Sequence, residues 1–104
     1  MKKIEIIKSS EDFTKIIKTG KSKKNKYYSL YYVDNKEGTK YGITIPTKTG
    51  KAVVRNKIKR RIKNIIDHNK KVVQNNYDYV IIVKKGILDL TYNEMEEELL
   101  KLMR

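Results

Sequence analysis

One segment of the chain, KAVVRNKIKRRIKNII at positions 51–66, combines a helical period with a strong charge. Its apolar residues recur at near-helical spacing: Val54, Ile58, Ile62, Ile65 and Ile66. At about 100° per residue, the first four fall within an arc of about 80°. Seven of the sixteen residues are basic and none is acidic. The segment therefore predicts a helix with one face that packs on a core and an opposite face that carries positive charge.

The segments before this helix show first a helical and then a strand pattern. SSEDFTKIIKTG predicts a short helix that ends at Gly20, with Phe13, Ile16 and Ile17 in one apolar stripe. KYYSLYYV at 26–33 is rich in aromatic and β-branched residues and predicts a strand, and KYGITIP at 40–46 predicts another. We expect these two strands to pair as an antiparallel hairpin.

The segments after the basic helix complete the pattern. NYDYVIIV predicts a strand at Tyr77–Val83, whose continuous apolar run indicates burial on both faces. TYNEMEEELLKLM predicts a last helix that opens with a capping box of Thr91 and Glu94. The order α-β-β-α-β-α predicts one α+β domain over residues 1–104, a two-layer sandwich of a small sheet backed by helices. An extra edge strand at Lys21–Lys24 stays open, because its pattern is not distinctive.

The charge balance points to the class of partner. The chain has 25 Lys and Arg residues against 12 Asp and Glu residues, a formal net charge of +13. Such a charge favours nucleic acid as a partner first and an anionic membrane surface second. There is no cysteine, no apolar run approaches the roughly 20 residues that span a bilayer, and the first residues, MKKIEIIK, are too polar for a signal peptide. We therefore expect a cytoplasmic protein.

Catalysis by protein side chains has no support in the sequence. The one histidine, His68, lies near the end of the basic helix, and no serine stands in a nucleophile-elbow pattern. The segment Thr47–Lys51 resembles part of a phosphate-binding loop but lacks its first glycine and the Ser or Thr after the lysine. No motif for metal ligation is present. We expect neither catalytic residues nor a metal site in this chain.

The outer face of the basic helix is the strongest candidate for a binding site. That face carries Asn56, Lys57, Lys59, Arg60, Lys63 and Asn64, with Arg55 and Arg61 at its borders. Arginine binds phosphate bidentately and lysine supplies a point charge, so nucleic acid is favoured over a merely solvated face. A helix on a membrane surface is less favoured, because the apolar stripe has only Val and Ile and no Trp, Phe or Leu to anchor it.

The tyrosines of the first strand are a second candidate surface. In YYSLYY, the alternation of a strand puts Tyr27 and Tyr31 on one face and Tyr28 and Tyr32 on the other. One face has to pack on a helix. The other is suited to stacking with the bases of single-stranded nucleic acid.

Together these segments resemble the bacterial ribonuclease P protein component. GKAVVRNKIKRRIKNI is similar to the signature of that family, which runs approximately G-N-A-V-x-R-N-R-x-K-R-x-x-R. EDFTKIIKTGK resembles the family's first helix, YGITIPTKTG its strand and turn V-G-x-x-V-S-K-K-x-G, and DYVIIVKK its final strand. The resemblance covers nearly the whole chain.

The resemblance implies a function and a fold. Such proteins are small basic subunits of a ribonucleoprotein that removes the 5′ leader from precursor tRNA, in which the RNA subunit carries the catalytic centre and its Mg²⁺ ions. The implied partners are the ribonuclease P RNA and precursor tRNA, with no membrane, no small-molecule substrate and no cofactor bound by the protein alone. The implied fold is similar to domain 2 of ribosomal protein S5, a mixed sheet with a left-handed β-α-β crossover, whereas general topology rules favour a right-handed one.

The resemblance also assigns residues. Six fall on the motif that binds the RNA subunit: Arg55, Asn56, Lys57, Lys59, Arg60 and Lys63. Five fall on the cleft that binds the leader: Phe13, Ile17, Tyr31, Lys48 and Lys84. The two lysines fall at the edge of this cleft. Arg61 lies outside the motif.

Some positions depart from the family pattern. Lys57 and Lys63 stand where arginine is usual, and lysine lacks the planar fork that arginine uses for bidentate contacts. Thr47 stands before Lys48 where the family pattern has a lysine, so one expected charge is missing. Ile17 stands where many members of the family have an aromatic residue. Lys51 replaces an asparagine and partly restores the charge. A general RNA-binding protein, such as a ribosomal one, and a protein-only nuclease are the alternatives.

Overall fold

The computed structural model of the protein describes residues 7, 10–35, 39–69 and 77–103. Within these ranges the chain forms three α-helices and four β-strands, with short 3₁₀ turns at Thr47–Thr49 and Lys85–Asp89. The elements in chain order are α1 (Ser10–Thr19), β1 (Lys21–Lys24), β2 (Tyr28–Asp34), β3 (Lys40–Thr44), α2 (Ala52–His68), β4 (Tyr77–Val83) and α3 (Tyr92–Met103).

The four strands form one mixed sheet in the order β1-β2-β4-β3. β2 pairs antiparallel with both β1 and β4, and β3 pairs parallel with β4. The predicted hairpin between β2 and β3 is therefore wrong, because β4 lies between them. Val80 and Ile81 of β4 are fully buried, so this strand needs neighbours on both sides and cover on both faces. β3 begins with an exposed lysine and ends with an exposed threonine, which suits an edge strand.

The possible edge strand at Lys21–Lys24 is present as β1. Its four residues, KSKK, are exposed or half-exposed, so neither strand period nor apolar content marks them. β1 forms because the pairing with β2 satisfies its backbone groups, and its lysines are typical of a sheet edge that does not pair further.

Helices cover the two faces of the sheet unequally. α2 and α3 pack on one face, here called the main-core face, where Leu30 of β2 and Ile81 of β4 meet Ile62 and Leu99 of the helices. α1 packs on the opposite face, here called the α1 face, where Ile16 contacts Val80 in a smaller cluster. The α+β class and the mixed sheet are confirmed. The two-layer description fits the main core, and α1 adds a partial third layer.

Helix α2 matches its predicted apolar stripe except at the first turn. Ile58, Ile62, Ile65 and Ile66 are buried, but Val54 remains 36% exposed. The core therefore begins one turn later than the sequence pattern indicates, and the Val54 side chain lies beside Gly50 in the turn before the helix.

The start of α3 forms the predicted capping box. The backbone N–H of Thr91 donates to Glu94 Oε1 at 2.9 Å, and the N–H of Glu94 donates to Thr91 Oγ1 at 3.3 Å. These bonds satisfy two of the N–H groups that a helix start leaves without partners.

α2 connects the parallel strands β3 and β4, so the chain contains a β-α-β crossover. The left-handedness of this crossover stays an expectation from the family resemblance. None of the helices in the described ranges is long and apolar enough to cross a membrane.

Candidate nucleic-acid interface

The outer face of α2 carries the predicted basic residues away from the core. Ile58 and Ile62 point into the main core, and the positions between them face outward. Asn56, Lys57, Lys59 and Arg60 are exposed, whereas Arg55 and Lys63 are half-exposed. No residue from Ala52 to Ile66 is acidic, and the one carboxylate of α2, Asp67, lies near the end of the helix.

Arg55 differs from the other residues of this face because it is tied to the turn before the helix. Its side-chain Nε donates to the carbonyl oxygen of Gly50 at 3.2 Å, and its backbone N–H donates to the carbonyl of Lys51 at 3.0 Å. A guanidinium carries five N–H donors, so four remain on the terminal nitrogens. Arg55 thus fixes the first turn of α2 and still has donors for a phosphate.

Two further predicted lysines lie at one end of the sheet. β3 and β4 are parallel, and Thr44 pairs with Ile82. Lys48 and Lys84, which follow these strands in the sequence, therefore both come after the same end of the sheet. Lys48 is exposed in the 3₁₀ turn. The ammonium of Lys84, however, donates to the carbonyl of Asn25 at 2.7 Å, so it also holds the turn between β1 and β2.

The aromatic residues of the predicted cleft meet on the α1 face. Phe13 of α1 and Tyr31 of β2 are half-buried and pack against the cluster of Ile16 and Val80. Ile17 lies one turn beyond Phe13 on the same helix and is 38% exposed. The structure therefore brings Phe13 and Tyr31 into one cluster and leaves Ile17 at its rim.

The ring of Phe13 packs directly against Gly42 of β3. A Cβ atom at position 42 would lie 2.4 Å from Phe13 Cζ, far below any real contact distance. The ring therefore rests directly on the backbone of β3. Sequence reasoning missed this residue, although a glycine inside a strand pattern signals a close approach of another group.

A row of residues that pair side by side across the four strands connects the cluster of Phe13 and Tyr31 with the basic end of the sheet. On the α1 face, this row consists of Lys24, Ser29, Ile82 and Thr44, taken across the four strands. Ile82 packs in the same cluster as Tyr31. It precedes Lys84 by two residues, so the aromatic cluster and the basic sheet end are continuous.

The other tyrosines support the fold. Tyr28 is fully buried, and its hydroxyl donates to the carbonyl of Met95 at 3.1 Å. Tyr79 stacks on Tyr41 with ring centroids 5.7 Å apart, and burial first, then the neighbouring Tyr41, raises its pKa above the usual value. Tyr27 packs toward the main core instead of sharing a face with Tyr31. The expected alternation fails there because β2 begins only at Tyr28.

A polar cavity of about 370 Å³ lies on another side of α1 and differs from this site. Asp12, Asp34 and Asp78 line it together with Lys15 and Lys40. Because its carboxylates repel phosphate, this cavity is not part of the candidate nucleic-acid interface.

Comparisons with known proteins identify the family of this chain. The family model for ribonuclease P matches residues 1–104. The chain belongs to the ribonuclease P protein family. It is 36% identical over 105 residues to the ribonuclease P protein component of Streptococcus agalactiae, covering 100% of this chain and 95% of the relative.

Solved ribonuclease P proteins share the fold. The protein from Thermotoga maritima superposes with a TM-score of 0.89 at 33% identity, covering 95% of this chain and 94% of that one. A Staphylococcus aureus ribonuclease P protein mutant, described as defective in mRNA degradation activity, gives a TM-score of 0.89 at 32% identity and covers 96% of this chain and 86% of that one. Family membership makes this protein a subunit of ribonuclease P, a ribonucleoprotein nuclease that processes tRNA.

Proposed function

We propose that this subunit bridges two RNA molecules in the cytoplasm: the outer face of α2 binds the ribonuclease P RNA, and the α1 face binds the 5′ leader of precursor tRNA. The observation that carries the proposal is the separation of the two surfaces. α2 packs on the main-core face and α1 on the opposite face of the same sheet. The two surfaces therefore point in different directions and can hold two partners at once.

The composition of the α2 surface suits a structured RNA partner. Arg55, Asn56, Lys57, Lys59, Arg60 and Lys63 are the residues that would contact it. Arginine and lysine bind phosphate oxygens, and Asn56 adds a neutral hydrogen-bonding group. Each phosphate that is neutralised releases condensed counterions, so we expect affinity for the RNA subunit to fall steeply with salt.

The α1 face suits a single strand. Phe13 and Tyr31 offer rings for stacking, Ile17 offers an apolar rim, and Lys48 and Lys84 offer charge at the sheet end. Aromatic stacking beside a basic groove is the general mode of binding single-stranded RNA. Stacking is tolerant of sequence, which suits a leader that differs from one tRNA to the next.

In this proposal the RNA subunit performs the cleavage, with Mg²⁺ ions bound by the ribonucleoprotein. The protein's own residues bind the leader, orient it and supply positive charge near the phosphates. Its one histidine, His68, is exposed in the last turn of α2, away from the aromatic cluster on the opposite face. We therefore assign it no role in the reaction.

Reconstitution tests the proposal. The purified protein is added to a bacterial ribonuclease P RNA at low Mg²⁺, and cleavage of precursor tRNA is measured beside the RNA alone. We expect the protein to stimulate 5′ processing and to raise affinity for precursor tRNA more than for mature tRNA.

Three results would contradict the proposal. No stimulation at any protein concentration would remove the assignment to the holoenzyme. Equal gains in affinity for precursor and mature tRNA would show that the leader is not bound, and the protein would then be a general RNA-binding protein. Cleavage by the protein freed of RNA would show that the chain itself carries the chemistry.

A further inference from the structure

The lysines of the edge strand β1 alternate between the two faces of the sheet. Lys24 stands opposite Ser29 and Lys23 opposite Leu30. Residues directly opposite each other share a face, so Lys24 lies on the α1 face and Lys23 on the main-core face. Each ammonium lies over a tyrosine ring of β2: Lys24 is 5.7 Å from the centroid of Tyr31, and Lys23 is 5.9 Å from that of Tyr32.

The contact of Lys24 with the Tyr31 ring is weak, so another partner can replace the ring. A cation over an exposed ring is held weakly, because water competes for it. Lys24 is exposed, and among the described residues no carboxylate forms an ion pair with it. A phosphate is a stronger partner for an ammonium than a ring, so an arriving nucleotide strand can draw it away.

We propose that Lys24 is a phosphate ligand for the leader, and that it leaves the Tyr31 ring for the leader backbone when a base stacks there. The ring would then be covered by a cation in the free protein and by a base in the complex. This inference rests on the proposed function of the α1 face and adds a binding residue that the family signature does not include.

The position of Lys24 in the sheet supports this role. Lys24 stands at one end of the register row that crosses Ser29, Ile82 and Thr44. Lys48 follows the other end of that row, four residues beyond Thr44. A strand lying on Phe13 and Tyr31 thus has a lysine on each side, and each lysine can contact a phosphate of its backbone.

Lys23 provides a matched control. It lies on the same strand, carries the same charge and contacts the same kind of ring at nearly the same distance, but on the main-core face. Lys23 is half-exposed and has a further contact, whereas Lys24 is exposed. A general effect of positive charge would still lower RNA affinity in both lysine variants. A contact with a strand on the α1 face would be specific to Lys24.

The test compares Lys24→Gln, Lys23→Gln and Lys24→Arg in the reconstituted holoenzyme. Equilibrium affinities for precursor and mature tRNA are measured over a series of salt concentrations. We expect Lys24→Gln to weaken precursor binding about threefold to fivefold, the scale of an exposed charge contact, and to leave mature tRNA unchanged. The salt slope of the precursor-to-mature affinity ratio should fall in magnitude by about 0.7, the value for one phosphate of a single strand.

The controls decide between this contact and its alternatives. Lys23→Gln should match the wild type, and Lys24→Arg should retain leader binding because the charge stays in place. Equal losses for Lys24→Gln and Lys23→Gln would overturn the inference. So would a loss of mature tRNA binding, or of assembly with the RNA subunit, as large as the loss of precursor binding. A wild-type holoenzyme that does not favour precursor over mature tRNA would instead overturn the proposed function, before any variant is compared.

Discussion

The two faces of the central sheet differ in how completely side chains fill them. On the main-core face, Ile62 of α2, Ile81 of β4 and Leu99 of α3 are fully buried. On the α1 face, Phe13 and Tyr31 remain half-buried beside the small cluster. The comparison teaches that the face which stabilises the fold is separate from the face that is left available to a ligand, although β4 supports both.

The largest expected effect is a loss of stability from the main-core face. Ile62 is fully buried between α2 and the sheet, so Ile62→Ala leaves a cavity and should cost about 2–5 kcal/mol of unfolding free energy. Urea denaturation measures this loss. Ile17→Ala is the comparison on the α1 face, and because Ile17 is 38% exposed its cost should be far smaller. Equal costs would contradict the difference between the two faces.

A smaller effect is expected where Gly42 supports Phe13. Gly42→Ala places a methyl group against the ring, which overpacks the contact and should cost about 1–3 kcal/mol. The displaced ring should also reduce the preference of the holoenzyme for precursor over mature tRNA.

A double-mutant cycle checks that Phe13 is the cause. In a Phe13→Ala background the clash is absent, so Gly42→Ala should then have little effect on either stability or leader preference. Additive losses would show that Gly42 acts through the strand rather than through the ring.

On the outer face of α2, Arg60 and Arg61 provide a comparison of neighbours. Arg60 is exposed in the centre of the basic face, and Arg61 is half-exposed at its border. Arg60→Ala should lower the magnitude of the salt slope for RNA-subunit binding by about one unit, with a smaller change for Arg61→Ala. Binding titrations over a salt series measure both, and an unchanged slope for Arg60→Ala would place it off the interface.

The smallest expected effect is at the capping box of α3, whose two residues belong to neither surface. Thr91→Ala removes the side-chain acceptor and should cost about 1 kcal/mol of stability, without changing either RNA affinity. Urea denaturation and the two binding assays test this together. A loss of RNA affinity at unchanged stability would show that α3 contributes to an interface.

Glu94, in the same capping box, should make the free energy of unfolding depend on pH. The hydrogen bonds with Thr91 lower its pKa below the usual value. A group with a lowered pKa in the folded state stabilises above its ordinary pKa, and that contribution is lost as pH falls through the lowered one. The stability difference between wild type and Glu94→Ala should therefore shrink in acid, and a difference independent of pH would contradict the pairing.

Much of the local structure could be predicted from periodicity. The bounds of β4 agree with the apolar run at Tyr77–Val83, and α2 follows the spacing of its isoleucines. These signals are local, because each residue's burial follows from its own place in a helix or a strand. The same reasoning identified the basic outer face of α2 as a surface.

Strand order could not be predicted in this way. β2 and β3 are neighbours in sequence, but β4 separates them in the sheet. Pairing depends on which strand can bury two faces, and that competition involves the whole chain. The contacts of Gly42 with Phe13 and of Lys24 with Tyr31 could not be predicted for the same reason, since each involves a ring from another element.

The central position of β4 has a consequence for the order of events during synthesis. β1, β2, β3 and α2 all leave the ribosome before β4, yet β2 and β3 belong to one sheet only after β4 inserts between them. Such non-local pairing is slow compared with helix formation. The α1 face, which spans β2, β4 and β3, therefore becomes complete only in this late step, after the basic helix α2 has been made.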